Sequence, residues 1–205
     1  MKLARKFAAA AAMGLLCSVT TAALAADAGT ILTFKGDCTV EADGKRALAK
    51  PNDTVAVGST IEVPDGGKLK LRLVDGSVVS VAPGTRMTIQ AASAAPEKRD
   101  VVLALASGLL RAVVAPAAPN SRFEVDTAVG VAAVRSTDWF VETHPDRMQV
   151  GVLAGVVSLS SSATKHSVDI PARWGSRLET GKDPVRPRVW EQSEFDRVIQ
   201  LTNQE

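Results

Sequence analysis

Tyrosine is absent from this chain of 205 residues, and phenylalanine and tryptophan together make only 4% of it. So few rings leave little material for carbohydrate platforms or for stacking nucleobases. Cysteine is nearly absent too, with Cys17 and Cys38 the two present. Cys17 lies in a segment read below as removable, so Cys38 stands alone and no internal disulfide can form; it is either a reactive thiol or intermolecular bridge or, the favoured reading, small apolar filler in a strand. The two histidines, His144 and His166, each sit in a polar, turn-like stretch. Neither adjoins a Gly-x-Ser-x-Gly elbow, and no His or Cys pair has ligand spacing such as Cys-x-x-Cys or His-x-x-x-His. No catalytic residue, metal or cofactor is therefore expected, and the chain is not read as an enzyme. Phosphate-cradling loops are missing as well, because the glycines come singly or in pairs between apolar runs.

An excess of one charge is also lacking. Lys+Arg total 24 against 22 Asp+Glu, and the first 25 residues hold three of the bases (Lys2, Arg5, Lys6) and no acid, which leaves 21 against 22 in the remainder. Such a balance argues against nucleic acid or an anionic membrane as the partner, since both demand a concentrated positive face. Glu41 with Asp43 and Asp126 with Asp138 could in principle flank a cleft for acid–base work. Solvated strand faces and turns account for them with less machinery.

The front of the chain carries a strong pattern. Lys2, Arg5 and Lys6 precede an apolar stretch from Phe7 to Val19, and Ala23-Leu24-Ala25 ends it with the small-x-small motif read by signal peptidase. The stretch is shorter than the roughly 20 residues a membrane-crossing helix needs. Residues 1–25 are thus expected to be a cleavable signal peptide, cut after Ala25, delivering the chain to the periplasm with no membrane span afterwards. Cys17 follows Leu16 rather than a small residue, which speaks against a lipoprotein signal.

Behind the leader, short alternating runs are punctuated by Asp43-Gly44, Pro64-Asp65-Gly66-Gly67, Asp75-Gly76 and Pro83-Gly84. These are hairpin signals, and Lys68 to Leu73 alternates strictly, as a strand with one buried and one wet face requires. Ala91 to Asp100, small and charged with Pro96, is expected to be a surface loop between two β halves. Further strands are expected over Val101–Leu105, Leu109–Ala115, Phe123–Val131, Trp139–Thr143, Met148–Leu153 and Val156–Ser160. Past Gly181, Pro184 and Pro187 mark an extended segment beside Arg186 and Arg188. Val189 to Leu201 then reads as an amphipathic helix packed on its own domain, with Ser193 as candidate N-cap.

One stretch breaks the apolar β pattern with consecutive polar residues. Arg135, Ser136, Thr137 and Asp138, leading into Trp139, form either a recognition patch or a bend that satisfies its own backbone, and the bend is the favoured reading. Arg135 and Asp138 are expected to hold it through buried contacts.

The order of these pieces resembles a FecR-type domain. The carriers are Val57-Gly58-Ser59-Thr60-Ile61, then Leu71 to Val79 with Pro83-Gly84-Thr85, then Ser107-Gly108-Leu109-Leu110-Arg111, then Phe123 to Thr127, Val131 to Val141, and Val150 to Val157. The resemblance covers roughly Gly29 to Gly181. It implies an all-β domain, a twisted sandwich or β-solenoid-like body over 26–181, followed by a Pro/Arg-rich extension with a short C-terminal helix over 182–205. It also implies surface sensing or scaffolding, not direct anti-sigma activity, since a leader stands where such regulators carry a cytoplasmic segment. The expected function is a non-catalytic periplasmic protein-interaction or signalling module with an envelope protein as partner; the alternative is a structural scaffold or envelope-matrix component. Two departures stand out: Ala128 replaces the family's usual proline, and Ser136 replaces its usual glycine.

Overall fold

The computed structural model describes residues 26–95 and 97–203, so the expected leader and its cleavage site at Ala25 lie outside the described residues. Two sheets make up the body, and one long strand, β9 (Lys98–Val113), belongs to both. Its first part lies between β8 (Thr85–Ala95) and β10 (Arg122–Asp126); its last part lies between β7 (Val78–Val81) and β12 (Asp138–His144). The switch falls at Gly108, whose φ of +92° is open to glycine at little cost and whose missing Cβ lets Thr85 press against the backbone.

Around this shared strand the first sheet runs β4 (Thr54–Ala56), β1 (Asp27–Lys35), β6 (Lys68–Leu73), β7, β9, β12, β13 (Arg147–Ala154), β16 (Trp174–Glu179) and β17 (Arg188–Val189). The second runs β3 (Lys45–Leu48), β2 (Thr39–Ala42), β5 (Thr60–Val63), β8, β9, β10, β11 (Gly130–Val134), β14 (Val156–Ser161) and β15 (Ser167–Pro171). From β10 onward each hairpin lands on the opposite sheet from the one before, a solenoid-like passage within a sandwich. The architecture is all-β with one helix, as the turn spacing predicts.

Alternation supplies the core. Leu69, Leu71 and Leu73 of β6 and Ile61 and Val63 of β5 point inward with Met87, Ile89, Leu103, Phe123, Trp139 and Val150, a single apolar cluster drawn from both sheets. Cys38 belongs to that cluster. Burial pushes its thiol above the ordinary value of 9.0, and Sγ rests 3.4 Å from the Lys35 carbonyl, so the residue is filler with an inert thiol.

The segment 91–100 is not a loop. β8 and β9 form one long hairpin whose pairing runs out to Ala95↔Lys98, so the expected surface loop shrinks to its tip. Small residues such as Ala are poor strand formers in isolation, yet they fit here because cross-strand partners and burial decide. Arg99 is in phase with Val101, Leu103 and Leu105, and it is buried with them.

The tail forms helix α1 (Gln192–Thr202) on the outer face of the first sheet. Its N-cap is Glu191, not Ser193; the Glu191 N–H donates to the Glu194 carboxylate at 3.0 Å in a capping box. Phe195 and Val198 bury against Ala82, Leu109 and Phe140, and Trp190 joins them. The aromatic-poor chain thus gathers three rings here, with centroids 5.7 Å apart for Phe140–Trp190, 6.2 Å for Phe140–Phe195 and 6.1 Å for Trp190–Phe195.

A carboxylate clamps the helix. Arg197 donates to Glu142 at 2.6 Å, and Gln149 donates to the same group. Burial alone pushes the Glu142 carboxyl up, but Arg197's hydrogen bond and charge, with Gln149, outweigh it and leave the group below its ordinary 4.5. A carboxyl held low stabilises the fold above its unfolded value and loses that contribution as the pH falls through its folded value. Amide protection in α1, taken relative to the intrinsic exchange rate at each pH, is therefore expected to fall as the pH drops below about 4.5, and Glu142→Gln should remove most of that acid dependence. Equal acid sensitivity in the variant and the parent would show that Glu142 is not the trigger.

Candidate functional site

The five residues at the polar break occupy the crossing from β11 in the second sheet to β12 in the first. They divide by exposure. Trp139 is fully buried in the shared core, and Thr137 is buried with its hydroxyl donating to the Val156 carbonyl at 3.4 Å. Its own carbonyl accepts from the Val114 N–H at 2.9 Å. Asp138 starts β12, where Arg111 of β9 grips it in a bidentate pair, Nε to Oδ1 at 2.9 Å and Nη2 to Oδ2 at 2.8 Å. That contact raises the Arg111 guanidinium above its ordinary value, against a smaller opposing effect of burial.

Arg135 does not hold the bend. Its side chain is exposed, and among the described residues it makes no side-chain hydrogen bond or ion pair. The role expected of it falls to Arg99, whose Nη2 donates to the Arg135 carbonyl at 2.6 Å and Nη1 to the Ala115 carbonyl at 2.5 Å. Nη1 also lies 3.3 Å from Asp75 Oδ2, with both side chains almost wholly buried, at 3% and 2% exposure. Asp75 in turn accepts from the Ser77 hydroxyl at 2.6 Å, and that hydroxyl accepts from the Ala115 N–H at 3.0 Å. One arginine thus ties the β6–β7 turn, the β9–β10 connection and the β11–β12 crossing, and its guanidinium lies 5.6 Å from the centre of the Phe123 ring.

Ser136 is exposed and is not among the residues with positive φ. The left-handed residue at this place is Gly155, φ +93°, in the facing turn; a Cβ there would lie 2.8 Å from the Ser136 carbonyl oxygen and 2.9 Å from Thr137 Oγ1. The replacement of glycine by Ser136 is therefore accommodated without a left-handed serine.

Beside the crossing the outer face of the second sheet carries a shallow groove of about 600 Å³, bordered by Arg122, Glu124, Arg135, Ser136, Val156 and Asp169 among others. Arg122 is engaged by Asp100 at 2.7 Å. Burial raises the Glu124 carboxyl above its ordinary value despite Arg122. Among the described residues no group of three or more His, Cys, Asp or Glu could hold a metal ion, and His144 and His166 approach only Glu142 and Asp183 as polar partners in ion-pair range. No nucleophile with an oriented base is assembled at the crossing.

Comparison with known proteins agrees with this architecture. Residues 59–158 match the family model described as FecR protein. The chain carries a FecR domain. Two crystal structures of a putative anti-sigma factor from Parabacteroides distasonis ATCC 8503, at 1.65 and 2.50 Å resolution, share the fold, with a TM-score of 0.57 and 18% identity over 69% of this chain. The match spans 64% of that protein's chain. No curated protein matches the sequence. In this FecR domain the matched span holds Asp75, Arg99, Arg111 and Asp138, so both ion pairs around the crossing lie inside it.

Arg135→Ala is expected to leave the unfolding free energy measured in urea unchanged to within about 0.5 kcal/mol, as for a surface substitution away from any special contact. A loss of 1 kcal/mol or more would return the residue to a structural role.

Proposed function

We propose that this FecR-domain protein is an exported, non-catalytic protein-interaction module of the cell envelope, matured by cleavage after Ala25, with a regulatory output. The observation that carries the reading is the FecR match over 59–158. The fold shared with a putative anti-sigma factor supports a regulatory role. Export rests on the pattern of residues 1–25. Among the described residues no helix is long and apolar enough to cross a membrane.

The contact surface we assign to the partner is the solvent-facing end of the crossing, Arg135 and Ser136, with the adjoining groove. Thr137, Asp138 and Trp139 support that end from beneath. An unengaged arginine beside exposed polar groups suits a carboxylate-bearing protein surface.

Fractionation with mass measurement, combined with a photo-cross-linking residue at position 135, tests this. The expected result is a periplasmic chain beginning at Ala26, cross-linked to one envelope protein, with the adduct absent when the same cross-linker is placed at Arg72. A cytoplasmic chain retaining Met1 would overturn export. A periplasmic chain that sediments with peptidoglycan or polysaccharide and yields no protein adduct would favour an envelope scaffold instead.

A further inference from the structure

We infer that the cup between the far end of β12, β13, β16 and the tail helix binds an oxyanion, the carboxylate or phosphate group of a small acidic ligand. This goes beyond the partner surface described above, and it is read on the purified chain alone, so either can fail without the other.

The cup has a volume of about 470 Å³, and Arg147, Arg177 and Arg197 with His144 are among its walls. Strand register builds it. His144 stands opposite Arg147, which stands opposite Glu179; on the next row of the same face Glu142 stands opposite Gln149, and Gln149 opposite Arg177. Directly paired side chains on one face begin only about 5 Å apart, so these groups share one patch. Arg197 reaches it from α1.

The two carboxylates in the cup are already engaged. Glu142 accepts from Arg197 and Gln149, and Glu179 accepts from Lys182 at 2.6 Å. Arg177 makes no side-chain hydrogen bond or ion pair among the described residues, and Arg147 has only Asp146, 3.5 Å away in its own turn and largely exposed. Two guanidinium forks with open donors therefore stand over a floor fixed by the Glu142–Arg197 pair. Arg99, Arg111 and Arg122 lack this freedom, since each faces a carboxylate, and Arg135, though unengaged, is a single fork in a groove that also holds the acids Glu124 and Asp169. An oxyanion supplies what the open forks lack, because paired N–H groups match its oxygens in a bidentate geometry.

Calorimetric titration of the purified full chain with inorganic phosphate and, separately, with glucuronate tests the inference at low and high salt. Saturable binding that weakens with salt is expected for at least one probe, with affinity falling about tenfold or more in Arg147→Gln/Arg177→Gln, the size of one lost charge-assisted contact. Arg177→Lys should recover part of it. Phosphate alone binding assigns a phosphorylated ligand, and glucuronate alone a carboxylated one. Circular dichroism and melting without ligand should match the parent, and Arg72→Gln, exposed elsewhere on the same sheet, should bind as the parent does. The inference is overturned if neither probe saturates, if the double variant binds like the parent, or if Arg72→Gln loses as much.

Discussion

Replacing Arg99 by alanine is expected to destabilise the domain by about 3–5 kcal/mol, because it removes one partner of a buried ion pair and leaves the other charged in a dry place. Asp75 would keep the Ser77 hydroxyl and N–H but lose its cation, and the carbonyls of Ala115 and Arg135 would lose their donors. The damage should be wide, since the three connections that Arg99 gathers belong to both sheets. Urea unfolding gives the measurement, with an unchanged m-value showing that the native state is weakened and not loosened. Asp75→Ala/Arg99→Met should cost clearly less than the sum of the single changes, as removing both charges leaves neither stranded. A loss below about 1 kcal/mol for Arg99→Ala would mean that water reaches the site and the network is not a dry one.

How far these contacts were legible in the sequence depends on whether they are local. Strict alternation in Lys68 to Leu73 and the Asp-Gly and Pro-Gly turns gave the strands, because period and turn chemistry act within a few residues. The polar break after Val134 marks where β11 ends and the chain crosses to β12, and that too is a local signal. A local signal does not say which arginine serves the crossing, since Arg99 and Arg135 are 36 residues apart and meet only through the parallel pairing of β9 with β10 and the turn into β12. One signal was available: extended backward by the period of two, Val101, Leu103 and Leu105 put Arg99 on the inward face. The small and charged composition of 91–100 masks that alternation. Arg111, by contrast, already stood in the Ser107 to Arg111 motif, but nothing local paired it with Asp138, which faces it only through the β9–β12 register.

The tail shows the same division between local and distant causes, and it carries the second large effect. An eleven-residue helix is too short to persist alone, since isolated helices below about 12–15 residues are marginal in water, so α1 depends on its seat. That seat is made by two strand glycines. A Cβ at Gly175 would fall within the indole of Trp190, and one at Gly151 would fall against the ring of Phe140. Glycine inside a strand costs stability, and here it admits a ring that no side chain would leave room for. Trp190→Ala is therefore expected to lower stability by about 3–5 kcal/mol, the range for removing a large buried aromatic. Gly175→Val should act in the same direction by the opposite route, expelling the indole and not deleting it. Hydrogen exchange separates release of the tail from general unfolding: amides of residues 192–202 should lose nearly all protection in both variants, while those of β9 and β10 stay protected, reduced by no more than the loss of global stability. Protection of α1 in Gly175→Val equal to that of the parent would show that the indole has another place to sit and that the glycine slot is not what holds the tail.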